Sequence, residues 1–252
     1  MSTALSVNLN KVALIRNSRE GNFPSLIEFG NISLEGGAQG LTVHPRPDQR
    51  HIRPGDVYDL AKVVKSFPDA EFNIEGNPFA AAQGDYPGLM QLVADTQPDQ
   101  CTLVPDSDDQ LTSDHGFDLT TQSERLAPIV EQLHQLGVRV SLFMDPDIEQ
   151  IKLARELGVA RIELYTGPYA LNYPSAQHSA CLEQYRQAAD YARGIGLAVN
   201  AGHDLNLDNL PDFLSIAGIA EVSIGHALTV DALRFGMPQA VTRYLQICQR
   251  SA

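Results

Sequence analysis

Four side chains able to move protons stand where short apolar runs end. His44 closes the run from Gly40, Glu75 closes Glu71 to Gly76, His203 closes Leu197 to His203, and His226 closes Glu221 to His226. Imidazole titrates near neutrality, and a carboxyl ending an apolar run is partly desolvated, which raises its pKa. Both properties suit general acid–base catalysis. A lone histidine is more often a hydrogen-bonded structural residue, and Glu75 can equally pair with Lys11 or an arginine. Four such residues, each ending a run, are harder to explain by structure alone, because each run is followed by a loop and a helical pattern. In a (β/α)8 barrel the strand C-termini converge on one rim, where that fold builds its active sites.

The segment from His44 to Arg53 holds three arginines and two histidines within ten residues. Arginine suits bidentate binding of phosphate or carboxylate. A solvated, ion-paired loop would use the same residues, but Pro45 and Pro47 stiffen this one in favour of a preorganised anion site. Arg16 and Arg19 add cations in a second loop. His203 and His226 each follow a glycine, and glycine lets a ligand approach the backbone closely, so these turns can receive a phosphate. His44, His203 and His226 can converge as a metal site, yet no H-x-H or H-E-x-x-H spacing supports one. No metal is assigned. His115, His134 and His178 carry no clear signal.

The elements that must hold these residues alternate regularly. Candidate strands are Leu5 to Asn10, Gly40 to Pro45, Glu71 to Gly76, Gln100 to Pro105, Arg139 to Met144, Arg161 to Thr166, Leu197 to His203 and Glu221 to His226. They are short and rich in Val, Ile, Leu and Phe, as parallel strands covered by helices are. In Val7-Asn8-Leu9-Asn10 the two asparagines share one face, which can point into a barrel. Helical spacing marks Pro24 to Glu35, Leu119 to Leu136, Pro146 to Leu157, Ser175 to Ile195, Leu207 to Ile216 and Thr229 to Gln249. Gly137, Gly158 and Gly196 fit left-handed helix stops. Eight strands in 252 residues predict one TIM barrel over residues 1–252 with its site at the strand C-termini. A doubly wound open sheet competes, but no G-x-G-x-x-G turn follows the first strand. Asn17 to Phe23, Arg46 to Pro54 and Pro105 to Phe117 are the long irregular stretches and are expected on the active-site face.

Composition narrows the partners. Hydrophobic residues make up 43% of the chain, enough for a full core, and the formal net charge is -13. That acidity disfavours non-specific binding to nucleic acid or anionic membranes but leaves room for a local arginine cluster that takes a small anion. Cys101, Cys181 and Cys248 form no C-x-x-C pair and indicate no disulfide framework. No basic leader and no membrane-length apolar run is evident, so a reduced cytoplasmic protein is expected.

These residues resemble, in combination and order, the pyridoxine 5′-phosphate synthase family. The likeness rests on Val7-Asn8-Leu9-Asn10, Arg16-Asn17-Ser18-Arg19, Leu41 to Arg46, Arg50-His51-Ile52, Asn73-Ile74-Glu75, Leu103-Val104-Pro105, Asn200 to His203 and Ile224 to Ala227. It implies an eightfold α/β barrel, often an octamer, that needs no metal or organic cofactor. It also implies the ring-forming condensation of 1-deoxy-D-xylulose 5-phosphate with 3-amino-2-oxopropyl phosphate to pyridoxine 5′-phosphate, phosphate and water. By position, His44 and Glu75 match proton acceptors and His203 a proton donor. Arg46, His51 and Thr112 match residues that hold deoxyxylulose phosphate. Asn8, Arg19, Gly225 and His226 match residues around the amino-ketone phosphate.

Three positions depart from the pattern. Asn10-Lys11 replaces a frequent Asp-His, Asp204 replaces a frequent glycine, and Tyr165 replaces a frequent histidine. Asn10 and Lys11 remain expected substrate contacts, and Asp204 is expected either to bind the substrate amine or to orient His203. An aldolase using a Schiff-base lysine would have only Lys11 near a strand end. A divergent sugar-phosphate-binding barrel, with a shifted substrate or no turnover, would rest on the Asn10-Lys11 change alone.

Overall fold

The computed structural model describes residues 2–107 and 109–250. Eight parallel strands close on themselves: β1 (Ala4–Asn8), β2 (Gly40–Val43), β3 (Glu71–Gly76), β4 (Gln100–Leu103), β5 (Arg139–Met144), β6 (Arg161–Tyr165), β7 (Ala198–Gly202) and β8 (Ile219–Ile224). The open-sheet alternative is excluded by the pairing of β1 with β8, with Ser6 opposite Ser223 and Val7 opposite Ile224. The helices are α1 (Asn10–Asn17), α2 (Leu26–Glu35), α3 (Pro54–Lys65), α4 (Leu89–Thr96), α5 (Leu119–Gln135), α6 (Ile148–Glu156), α7 (Gly167–Asn172), α8 (His178–Gly194), α9 (Leu210–Phe213), α10 (His226–Phe235) and α11 (Met237–Arg250).

Two-residue periodicity sorts each strand into two faces. One set, including Leu5, Val7, Leu41, Val43, Ile74, Leu103, Val140, Leu142, Ile162, Leu164 and Val222, is buried in the apolar core with the helices. The alternate set fills the barrel with polar groups. Near the N-terminal ends Arg139 pairs with Glu71 and Gln100, while Arg161 pairs with Asn200 and Glu221. Above them the Ser6 and Thr42 hydroxyls meet at 2.7 Å, and Thr102 donates to Asn73 at 3.1 Å. These named groups are tolerated inside because each finds a partner, whereas the buried Ser141 Oγ on β5 finds none among the described residues. They form the floor on which the acid–base residues stand.

Gly137, Gly158 and Gly196 all have positive φ, as helix stops require. Asp147 caps α6, accepting from the backbone N–H groups of Glu149 and Gln150. Several boundaries differ from expectation, among them β8, which ends at Ile224 and leaves His226 to open α10. The first strand stops at Asn8, and Asn10 and Lys11 open α1, so the Asn17 to Phe23 stretch follows a helix rather than a strand. Helix α7 lies in the segment before Ser175, its six residues too few to show a period. The terminal helix breaks into α10 and α11 at Gly236, whose φ is 79°.

Candidate active site

At the C-terminal end of the barrel lies a cavity of about 300 Å³. Its walls include Asn8, Asn10, Lys11, His44, Arg46, Arg50, His51, Glu75, Thr112, Ser113, Glu163, His203, Asp204, Gly225 and His226. A second cavity, of about 210 Å³, sits between the C-terminal ends of α3 and α4. Its only charged linings are Lys65 and Asp99, and Asp99 is engaged by the Phe72 N–H. The acid–base chemistry is therefore confined to the first.

His44 follows β2 directly and is buried. Its backbone N–H donates to the Asn10 side-chain oxygen at 2.9 Å, and the Asn10 N–H donates to Asn8 Oδ1 at 3.0 Å. Asn10 thus ties the start of α1 to the end of β2 using an amide oxygen, an acceptor that aspartate also carries. The His44 ring lies between two carboxyls, with Nε2 3.1 Å from Asp106 Oδ2 and Nδ1 3.7 Å from Glu75 Oε2. The same Asp106 oxygen accepts from Arg46 Nη2 at 2.5 Å. Burial alone would raise the Asp106 pKa, but the hydrogen bond and charge of His44, with Arg46 behind them, outweigh it and hold the carboxyl at about 2.

The arginine loop folds against the segment after β4. Arg46 Nη1 donates to the Gln110 carbonyl at 3.3 Å, and Arg50 Nη1 donates to the same carbonyl at 2.7 Å. His51 Nδ1 accepts from the Ile52 N–H at 2.9 Å, so its proton resides on Nε2. Burial, then the charges of His44 and Arg46, lower the His51 pKa to about 2, which keeps the ring neutral.

Glu75 and Glu163 form the acidic floor of the cavity. Burial, followed by the negative charges of Glu163 and Asp106, raises the Glu75 pKa well above the carboxylate range. Burial and the charge of Glu221 raise Glu163 to about 8. Glu163 Oε2 finds no hydrogen-bond partner among the described residues. At neutral pH this carboxyl is a proton carrier facing the cavity.

His203 and Asp204 follow β7 with φ of 92° and 57°, a left-handed conformation uncommon for non-glycine residues. Neighbours hold the turn. The Thr166 hydroxyl donates to the Gly202 and His203 carbonyls, and Asn209 Nδ2 donates to the Asp204 carbonyl at 3.1 Å. Asp204 Oδ2 lies 3.0 Å from His203 Nδ1, and Thr112 Oγ1 lies 2.9 Å from Nε2. The hydrogen bond from His203 lowers the Asp204 pKa, so an ionised carboxylate steadies the imidazole when it carries a second proton. Gly202 does not open a phosphate cradle as expected from the sequence. A Cβ there would lie 2.2 Å from Glu163 Oε1, so this glycine makes room for the carboxyl. Gly225 likewise makes room for a side chain, that of Asn8. It caps α10, and a Cβ on it would come within 3.0 Å of Asn8 Oδ1. His226 and Ala227, the first residues of α10, line the cavity, and the free N–H groups of a helix's first turn can bind an anion.

The structure brings together every site residue expected from the sequence except Arg19, which is exposed beyond α1 and does not line the cavity. Arg16 is buried, paired with Asp56 of α3 and donating to the His51 carbonyl at 3.0 Å, so it braces the arginine loop rather than meeting a ligand. Two carboxyls escaped the sequence reading. Glu163 is a charge in the middle of the apolar run Arg161–Tyr165, a signal that was available. Asp106 sits in a polar loop among several acids, where nothing in the spacing singles it out. Among the described residues, no group of three or more His, Cys, Asp or Glu side chains is arranged to hold a metal ion.

Residues 5–250 match the model of the PdxJ family, described as pyridoxal phosphate biosynthesis protein PdxJ. The pyridoxine 5′-phosphate synthase of Xanthomonas axonopodis pv. citri is 51% identical over 248 residues, covering 98% of this chain and 97% of that protein. The enzyme of the same name from Albidiferax ferrireducens is 49% identical over 247 residues, covering 98% and 97%. Among solved structures, a tryptophan synthase from M. tuberculosis superposes with a TM-score of 0.64 at 11% identity, covering 98% of this chain and 93% of that one, a likeness of fold alone. The match along nearly the whole length places this chain in the PdxJ family of pyridoxal phosphate biosynthesis proteins.

Proposed function

We propose that this chain is a pyridoxine 5′-phosphate synthase, an enzyme of vitamin B6 biosynthesis that condenses 1-deoxy-D-xylulose 5-phosphate with 3-amino-2-oxopropyl phosphate. The observation that carries the reading is one cavity that joins three groups of proton carriers to two separate anion-binding regions. Amine attack on a ketone, dehydration, phosphate loss and ring closure each require a proton to move, and each mover must be within reach of a bound substrate. His44 and Glu75 accept protons from one side, and His203, backed by Asp204, donates from the other. Glu163 between them supplies a neutral acid for oxygen atoms that gain charge. Arg46, Arg50 and His51 take the phosphate of deoxyxylulose phosphate, with Thr112 beside its carbon chain. The start of α10, with Gly225, His226 and Asn8, takes the phosphate of the amino-ketone, and Lys11 lies between the two anions. All of these steps are written with protein groups.

The oligomer and compartment implied by the family resemblance, a homo-octamer in the cytoplasm, belong to the same proposal. Exposed Leu14 and Ile15 of α1, Phe23 in the loop that follows and Ile27 of α2 are apolar surface that self-association would cover. No helix among the described residues is long and apolar enough to cross a membrane. The test of the chemistry is Glu75→Gln, which keeps shape and removes the base. Turnover is expected to fall by about 10²- to 10⁴-fold with inorganic phosphate binding retained. A variant with unchanged kcat would remove Glu75 from the mechanism.

A further inference from the structure

Neutral imidazole carries one N–H, and which nitrogen bears it decides where the ring acts as a base. In His44 that choice is made by surroundings fixed on three sides. Its backbone is anchored by Asn10, and its ring meets the edge of His51 with centroids 6.4 Å apart. Its two nitrogens face unequal carboxyls, Asp106 at Nε2 and Glu75 at Nδ1. Asp106 is a buried anion locked to the Arg46 guanidinium and hydrogen-bonded by Ser113, so it can only accept. Glu75 Oε2, at 3.7 Å, is beyond hydrogen-bond reach of Nδ1 and fixes no proton there. The committed acceptor 3.1 Å from Nε2 selects one arrangement, the ring proton on Nε2 and the lone pair on Nδ1.

We propose that Asp106 is a positioning residue for His44, accepting its Nε2 proton through Oδ2 and so fixing the tautomer whose Nδ1 is the base. One oxygen serves both ends of the relay, because the contact that orients His44 also holds Arg46. The anion-binding loop and the proton acceptor are thereby set by a single residue from the segment after β4. This inference rests on the reading of His44 as a base, but the tautomer is measurable without turnover.

The test is ¹⁵N–¹H correlation spectroscopy of protein labelled in its histidine rings, at about pH 8.5 so that imidazoles are neutral. His44→Gln assigns the His44 signals. In the unmodified protein His44 Nε2 is expected to give a protonated-nitrogen shift and Nδ1 an unprotonated one. In Asp106→Ala both nitrogens are expected to move toward intermediate, tautomer-averaged shifts, and kcat to fall by about tenfold or more. Asp106→Glu, which keeps the acceptor, is expected to restore both. Should the alanine variant not fold, Asp106→Ser, judged by the same shifts, takes its place. Unchanged His44 shifts in a folded variant lacking the carboxylate would overturn the proposal whatever the activity. Shifted tautomers with undiminished kcat would overturn the reading of His44 as the base and, with it, the positioning role.

Discussion

Replacing Glu163 by glutamine removes a buried titration while keeping the side chain's shape. In the native protein this carboxyl keeps its proton up to about pH 8, against an ordinary value of 4.5. The folded state therefore binds more protons than the unfolded chain across that window. Stability from this group is complete below the unfolded value and is lost as pH rises toward the folded one. Each pH unit inside the window costs about 1.4 kcal/mol, and half-titration near pH 8 trims the last of it. Between about pH 6 and pH 8 the wild-type protein should lose about 2 kcal/mol through Glu163 alone. Glu221, whose pKa is also raised, titrates in both proteins and largely cancels, whereas Glu75 loses the charge of Glu163 in the variant, a change of the same sign. Urea unfolding of wild type and Glu163→Gln across that range, with slopes shown to be equal, yields the difference directly. The stability gap should widen by about 2 kcal/mol in favour of the glutamine variant as pH rises. Parallel curves at every pH would refute the assignment of a neutral, buried carboxyl to this position.

Arg46→Lys keeps a cation but loses the planar fork that spans Asp106 and the Gln110 carbonyl. Steady-state kinetics should show KM for deoxyxylulose phosphate rising by about tenfold, the worth of one charge-assisted hydrogen bond, and an unchanged KM would detach this loop from the substrate phosphate. Thr166→Val removes the hydroxyl that holds the His203 turn without changing its volume much. It should cost about 1–2 kcal/mol in chemical denaturation and lower kcat more than it raises KM, whereas kinetics identical to wild type would mean the left-handed turn needs no such tether.

The barrel was legible because its outer strand face is written as Leu, Val and Ile at alternate positions, and its helix stops as glycines. The rim was legible because His44, Glu75 and His203 each end a run. Helix α1 was hidden since Leu9 and Asn10 continue the alternation of β1, and only the turn at Leu9 redirects the chain. The break at Gly236 was hidden since α10 and α11 keep apolar spacing on either side of it. Asp106 was invisible for a different reason. Its importance comes from contacts across 60 residues of sequence to Arg46, and loop acids carry no periodicity to mark them. Gly202 misled in the opposite sense, its freedom used to admit Glu163 from the neighbouring strand rather than a ligand.

The most direct test is product formation by purified protein supplied with 1-deoxy-D-xylulose 5-phosphate and 3-amino-2-oxopropyl phosphate, without added metal and again with a chelator. The account predicts pyridoxine 5′-phosphate and inorganic phosphate in equal amounts under both conditions. Folded protein that binds deoxyxylulose phosphate yet releases neither product would contradict it, and would point to a sugar-phosphate-binding barrel with a different substrate.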